Sequence, residues 1–201
     1  MKSIESWFAK HDDGEFVRHV RTVPYLVIGS TASDSPVLFT TKPAAVLGAI
    51  GGAQIPSELA VVGGCGLPTA ADIRWIARFI RTNVLFLGDL DPPDLLIFAW
   101  LREQLRRKQP KFVGISDPFL HALGVQLSRS PTIPFTPSER ESVPLLDSVL
   151  PDLPRLVGSA CARCLRDGLK LEMEGVLGAV TKPGRSILKA IKYVESGQSN
   201  P

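Results

Sequence analysis

The chain has 201 residues, 44% of them hydrophobic and 21% charged, with a formal net charge of +3 from 23 basic and 20 acidic side chains. That length suits one globular domain with an appendage, and so large an apolar fraction excludes a disordered or low-complexity chain. The small basic excess is compatible with nucleic acid without demanding it, so the placement of the arginines matters more than their number.

Residues 1–23 form an N-terminal segment in which charged and aromatic residues alternate; Ser3 can cap a short helix carrying Trp7 and Phe8, and Asp12-Asp13-Gly14 ends it. Pro24 to Gly29 reads as a first strand and Val37 to Lys42 as a second, with a short helix from Pro43 to Ile50. Glu58 to Val62 is a third strand that runs into the glycine-rich loop Gly63-Gly64-Cys65-Gly66, after which Thr69 caps a helix over Ala70 to Arg81. Val84 to Leu87 is too short and too unbroken an apolar run to be anything but a buried strand; a strongly apolar helix follows it, and Lys111 to Ile115 is one more strand. This rhythm of strand and helix predicts an α/β fold over 24–127, a Rossmannoid with a central parallel sheet and helices on both faces. Residues 128–201 are read as a proline-rich connection and a C-terminal helical extension. A helical pattern over Leu153 to Val180 is weakened at Gly158 and Gly168, residues 142–150 offer little more than a helical fragment, and residues 186–195 form a last helix.

The chemistry concentrates in Gly88-Asp89-Leu90-Asp91-Pro92. Two acids spaced by one residue on an extended backbone point the same way, and the C-terminal edge of a strand in an open α/β sheet is where ligands bind. A divalent cation, magnesium above all, is the economical reason to hold two anions so close. The same residues also make a good helix start, with Asp91 as N-cap and Pro92 in the first turn. Arg74, Arg78 and Arg81 recur at helical spacing opposite Ile73, Ile76 and Ile80, either as a solvated face or as a phosphate-binding stripe. Arg102, Arg106, Arg107, Lys108 and Lys111 fit cations at a helix C-terminus better than a ligand site. Gly64 and Gly66 could bring backbone N–H groups to a phosphate, or simply make a turn that needs positive φ. Cys161-Ala-Arg-Cys164 has no second pair to complete a zinc site and reads as buried structural thiols.

Several of these segments, in this order, resemble the Toprim domain of the topoisomerase VI A subunit and its meiotic double-strand-break relatives. The likeness lies in Val37-Leu-Phe-Thr-Thr-Lys42, in Val61-Val-Gly-Gly-Cys-Gly-Leu-Pro-Thr-Ala-Ala-Asp-Ile-Arg74, and in Asp89-Leu-Asp-Pro92. It continues through Phe112 to Phe119, Phe135 to Arg140 and Gly168 to Glu174, and covers residues 24–180. The resemblance strengthens the reading of Asp89 and Asp91 as a magnesium site; Lys42, Arg74, Arg78 and Arg81 stay candidates for nucleic-acid contact, and Gly64 and Gly66 for a phosphate loop. It also marks departures. Thr41 stands where the family has the glutamate that completes the metal site, which predicts weak magnesium affinity. Asp94 stands where a small residue is usual and is a candidate third ligand, beside Glu172 and Glu174.

The family's tyrosine nucleophile belongs to a winged-helix domain ahead of Toprim, and residues 1–23 are too few for one. The chain by itself is therefore not expected to cleave DNA by transesterification. The leading expectation is a Toprim-like subunit in DNA or RNA transactions, binding nucleic acid or a protein partner that supplies a winged helix or an ATPase, and able to form homodimers. One alternative is a magnesium-dependent nuclease using Asp89 and Asp91. The other is a protein-interaction scaffold whose proline-rich 128–154 segment docks a partner. No membrane partner is expected, and lacking a secretory leader the chain is expected in the cytoplasm or at the nucleoid.

Overall fold

Short apolar runs bounded by loops give a sheet whose central strands, at 37–40, 60–63 and 84–87, are buried on both sides, and this sheet positions everything that follows. The computed structural model describes residues 2–11, 26–28, 36–50, 60–64, 66–79, 83–108 and 110–197. Helix α1 (Lys2–His11) precedes β1 (Leu26–Ile28), β2 (Val37–Thr40), α2 (Pro43–Ile50), β3 (Ala60–Gly63), α3 (Ala70–Phe79), β4 (Val84–Leu87), α4 (Pro92–Gln104), β5 (Lys111–Phe112) and α5 (Asp117–Leu123). Then come β6 (Ile133–Pro134), α6 (Pro137–Val149), α7 (Leu153–Val157), α8 (Ser159–Arg166), β7 (Leu169–Lys170), α9 (Met173–Gly178) and α10 (Pro183–Glu195).

Strands β3, β2, β4 and β5 lie side by side in that order and run parallel, the Rossmann-like α/β arrangement anticipated from the sequence. The strand read as first in the parallel rhythm departs from it: β1 joins the β3 edge antiparallel. Residues 29–36 are too few for a parallel crossover, which needs a dozen residues or more, so the chain reverses direction before β2. From β2 the chain steps to β3 on one side, then crosses back over β2 to β4 on the other. The strand order thus reverses between β2 and β4, and the crevice beyond their C-terminal ends is the topological switch point of the sheet.

Register and side-chain alternation decide what meets there. Phe39 of β2 pairs with Phe86 of β4, and Phe86 with Phe112 of β5. Ring centroids are 5.8 Å and 6.0 Å apart along this row, and Phe98 of α4 covers it, 5.7 Å from Phe86 and 5.4 Å from Phe112. Four buried rings of this kind fix both the register and the seat of α4. On the other side of the sheet α10 packs against α5 and α2, whereas α4 carries α6 and α1. The Trp100 indole N–H donates to Glu5 Oε1 at 3.1 Å, which pins α1 to α4.

The C-terminal part differs from the sequence reading in two places. The stretch 153–180 is not one helix: it breaks at Gly158 (φ 89°) and Gly168 (φ 74°) into α7, α8, β7 and α9. Glu172 is consequently the extended N-cap residue of α9, not a mid-helix residue that diverges from Glu174 around a helix. The supposed fragment at 142–150 is the end of the thirteen-residue helix α6, started by a capping box between Thr136 and Glu139 that outweighs the exposed Pro144 inside it.

Candidate metal centre

Beyond the last ladder pairs of β2 and β4, the register brings Thr41 beside Gly88 and Lys42 beside Asp89. Alternation sends the first pair to the α4 side and the second to the opposite side. On the α4 side, Thr41 Oγ1 donates to Asp94 Oδ2 at 2.7 Å, and the Asp89 backbone N–H donates to the same oxygen at 2.7 Å. Asp94, in the first turn of α4, folds back over the end of β4, and only glycine at 88 leaves it room: a Cβ there would lie 2.8 Å from Asp94 Oδ2. On the opposite side, the Lys42 ammonium stands 2.7 Å from Asp89 Oδ2. Asp91 caps α4, accepting the Asp94 N–H on Oδ1 at 2.8 Å.

A segment from much later in the chain closes the site. Leu90 and Leu171 form an isolated antiparallel bridge, with N–H···O distances of 3.0 and 3.2 Å, and the Met173 N–H donates to Asp89 Oδ1 at 2.8 Å. Lys170, one residue before the bridge, pairs with Glu139 at 2.9 Å and with Glu172 at 3.3 Å.

Asp89, Asp91 and Asp94 are 0%, 5% and 4% exposed. One carboxylate oxygen from each lies within 4.8 Å of the other two. Both readings of the Asp-x-Asp pair therefore hold together, because Asp91 is the cap and also a member of the cluster. In each carboxylate the protein braces one oxygen: Asp89 Oδ1, Asp91 Oδ1 and Asp94 Oδ2 accept the bonds just described. Among the described residues, no hydrogen bond engages Asp91 Oδ2 or Asp94 Oδ1. Buried Asp89 Oδ2 has no hydrogen bond of good geometry; its neutralising neighbour is Lys42. This is how outer bonds orient the ligands of a metal site, and an all-oxygen donor set suits a hard divalent cation. The cluster can hold a metal ion.

The electrostatics agree. Burial, followed by the neighbouring Asp94 carboxylate, pushes Asp89 up to about 7, well above the ordinary 3.8 of an aspartate. Burial and the same neighbours raise Asp91 strongly, and burial raises Asp94. Burial works against the Lys42 charge, but attraction to Asp89, Asp94 and Asp91 outweighs it and holds that ammonium above the ordinary lysine range. A carboxyl raised in this way binds a proton in the folded state that the unfolded chain has already released. In chelator, stability contributed by the cluster is therefore present below about pH 4 and is lost as pH climbs to about 7, at up to about 1.4 kcal/mol per pH unit and proton. A divalent cation held by the cluster would compete with those protons, and its stabilising effect would grow over the same interval. Thermal melts from pH 5 to pH 8, in chelator and in magnesium, measure both trends; a cluster contribution that rises with pH in chelator would contradict the assignment.

Lys42, read as a nucleic-acid contact, belongs to the cluster: it pairs with Asp89 and keeps 29% of its side chain exposed. The Gly64 N–H, read as a phosphate donor, is donated to the Thr40 carbonyl at 3.0 Å and is not free, while Gly66 adopts φ 71° as a turn residue. Arg74 is exposed on α3; the side chain of Arg78 and the whole of Arg81 and Cys65 lie outside the described residues. Cys161 and Cys164 are buried, and burial raises both thiols, which leaves them in the neutral, unreactive form. Glu174 is exposed. The sequence reading missed the roles of Met173 and Lys170, because the helical pattern assigned to 153–180 hid the strand that carries Lys170 and the fresh helix start that frees the Met173 N–H.

No family model matches the chain, and neither does any curated protein sequence. Among the described residues, no helix is long and apolar enough to cross a membrane.

Proposed function

We propose that this chain is a Toprim-type, magnesium-binding protein of nucleic-acid transactions, in which the acid centre and Lys42 meet a backbone phosphate at the β2/β4 crevice. The observation that carries the reading is an imbalance of charge: among the described residues three buried carboxylates have one ammonium in ion-pair contact, Lys42, and Lys170, which also acts on Asp91, is already paired with Glu139 and Glu172. Buried like charges this close are held only at a cost, and a divalent cation removes the imbalance where otherwise protons must. Magnesium bound there supplies a positive template for phosphate oxygens. Asp89, Asp91 and Asp94 would hold it, each with its other oxygen already oriented by the protein. Lys42, 29% exposed, is the cation of the cluster that reaches solvent and can contact the incoming phosphate. A partner bringing a winged helix or an ATPase would complete such an assembly.

A second reading, magnesium-dependent hydrolysis of a phosphodiester, is favoured by one observation. The glutamate absent at Thr41 is replaced in space by Asp94, which lies one hydrogen bond from the Thr41 hydroxyl. A third carboxylate is thus present, delivered by the helix start instead of the strand.

Isothermal titration of magnesium into the wild type and into Thr41→Glu tests the metal assignment. The expected result is one site in the wild type. A silent wild type beside a binding Thr41→Glu variant would mean that Asp94 does not make good the missing acid. A magnesium-dependent oligonucleotide cleavage assay separates the two readings: no turnover is expected of the first, and cleavage lost on Asp91→Asn would establish the second.

A further inference from the structure

We infer that the polynucleotide lies along the outer face of α10, on a stripe made by Lys182, Arg185, Lys189 and Lys192. The inference rests on the nucleic-acid reading above and locates its surface. All four side chains are exposed, and no ion pair is formed by any of them among the described residues. Some exposed cations elsewhere have acidic partners, as Lys10 has Glu141, Arg106 has Glu103 and Arg155 has Asp152, and others, such as Arg107, Arg129 and Arg163, form no ion pair among the described residues, so what sets these four apart is their alignment on one helix face. At about 100° per residue the four fall within an arc of about 80°, with no acid among them. The opposite face, Gly184, Ile187, Ala190 and Ile191, is buried. Its apolar side is already used against α5 and α2, so the helix cannot also lay that side into a lipid surface. What remains is a row of exposed cations about 15 Å long, without ion pairs among the described residues, enough for several successive phosphates of one strand.

The row also runs in a useful direction. Helix α10 follows α9, whose first residue, Met173, touches Asp89 at the C-terminal edge of the sheet. Its far end meets the N-terminal edge, where Lys111 Nζ donates to the Glu195 carbonyl at 3.4 Å. The stripe therefore descends from the side of the metal centre toward Lys111, which adds a further exposed cation. Near the lower end Tyr193 lies against His121 of α5, ring centroids 6.0 Å apart, so an aromatic surface borders the cations.

The test is fluorescence anisotropy with fluorescein-labelled random-sequence oligonucleotides, single- and double-stranded DNA and RNA, over a salt series. Arg185→Ala/Lys189→Ala is compared with Arg155→Ala/Arg163→Ala, an equal loss of charge on exposed positions of α7 and α8. At about 0.1 M salt the stripe variant is expected to bind roughly 25- to 60-fold more weakly, with a salt slope shallower by about 1.4 to 1.8, the counterion-release values for two lost phosphate contacts. The control pair should stay near wild type. Equal losses in both pairs, or none in either, would overturn the inference, as would stripe-dependent capture of phosphatidylserine vesicles without oligonucleotide binding. Magnesium calorimetry on the same proteins keeps the two assignments apart. A stripe variant that loses oligonucleotide but still binds magnesium supports the inference. A wild type that binds magnesium but no oligonucleotide overturns it and leaves the metal centre standing.

Discussion

Asp89→Asn should abolish the response to magnesium. If the wild type holds one ion at the acid centre, a concentration one hundred times the dissociation constant stabilises it by about 2.7 kcal/mol. For a chain of this length that corresponds to a rise of roughly 5–10 °C in melting temperature. The asparagine variant should show no rise. Its amide oxygen can accept from Met173 N–H or lie against Lys42, but it brings no charge, so Asp91 and Asp94 alone face the ion. In chelator two effects oppose each other: Lys42 loses its counter-charge, while the repulsion that pushes Asp89 up to about 7 is relieved. The variant should then melt close to the wild type, and the two should part only when magnesium is added. An asparagine variant stabilised as much as the wild type would remove Asp89 from the ligand set.

Gly114→Ala is the substitution expected to damage the fold most. A Cβ at 114 would sit 2.4 Å from the Gly88 carbonyl oxygen and 2.8 Å from the Gly88 nitrogen. These are backbone atoms and cannot turn aside as a flexible side chain can. The same carbonyl accepts the Ile115 N–H at 3.1 Å, and the next residue along is Asp89. Relief of the clash must push β5 away from β4 or shift the acid loop. Overpacking against so stiff a neighbour costs about 3 kcal/mol, a loss of roughly 6–12 °C in a protein of this size, and the magnesium response should fall with it. Gly48→Ala is the counterpart. This residue is exposed on α2 with no atom within 4 Å of the added carbon, so alanine should stabilise the helix by about 0.5–1 kcal/mol. A Gly114→Ala variant that melted like the wild type would show that the chain at 114 does not approach Gly88 as closely as described.

The central part of the site could be read from the sequence because its signals are local. An apolar run of four residues ending in Asp89-Leu90-Asp91 declares a strand and the direction of two carboxylates at once. Asp94 was visible only as an unusual residue at a helix start; its return over Gly88 to Thr41 depends on packing that no short window contains. Thr41 shows the limit most plainly. As a letter it is a neutral hydroxyl, whereas in space it donates to a buried carboxylate, Asp94, that lies 53 residues away in the chain. Met173 and Lys170 escaped because apolar spacing over 153–180 satisfies a helix, and only Gly158 and Gly168 hinted at the breaks. The cations of α10 were on the page as a spacing of three, four and three residues, but spacing alone cannot say which face a neighbouring helix will cover.

The tie between Met173 and Asp89 has a consequence for the order in which this molecule is made. Strand β4 leaves the ribosome long before residues 168–178, so a growing polypeptide carries its aspartates for much of translation without the peptide group that braces the first of them. The acid cluster gains its last brace only near the end of synthesis, and a product released early could keep most of the sheet while leaving Asp89 Oδ1 without its donor.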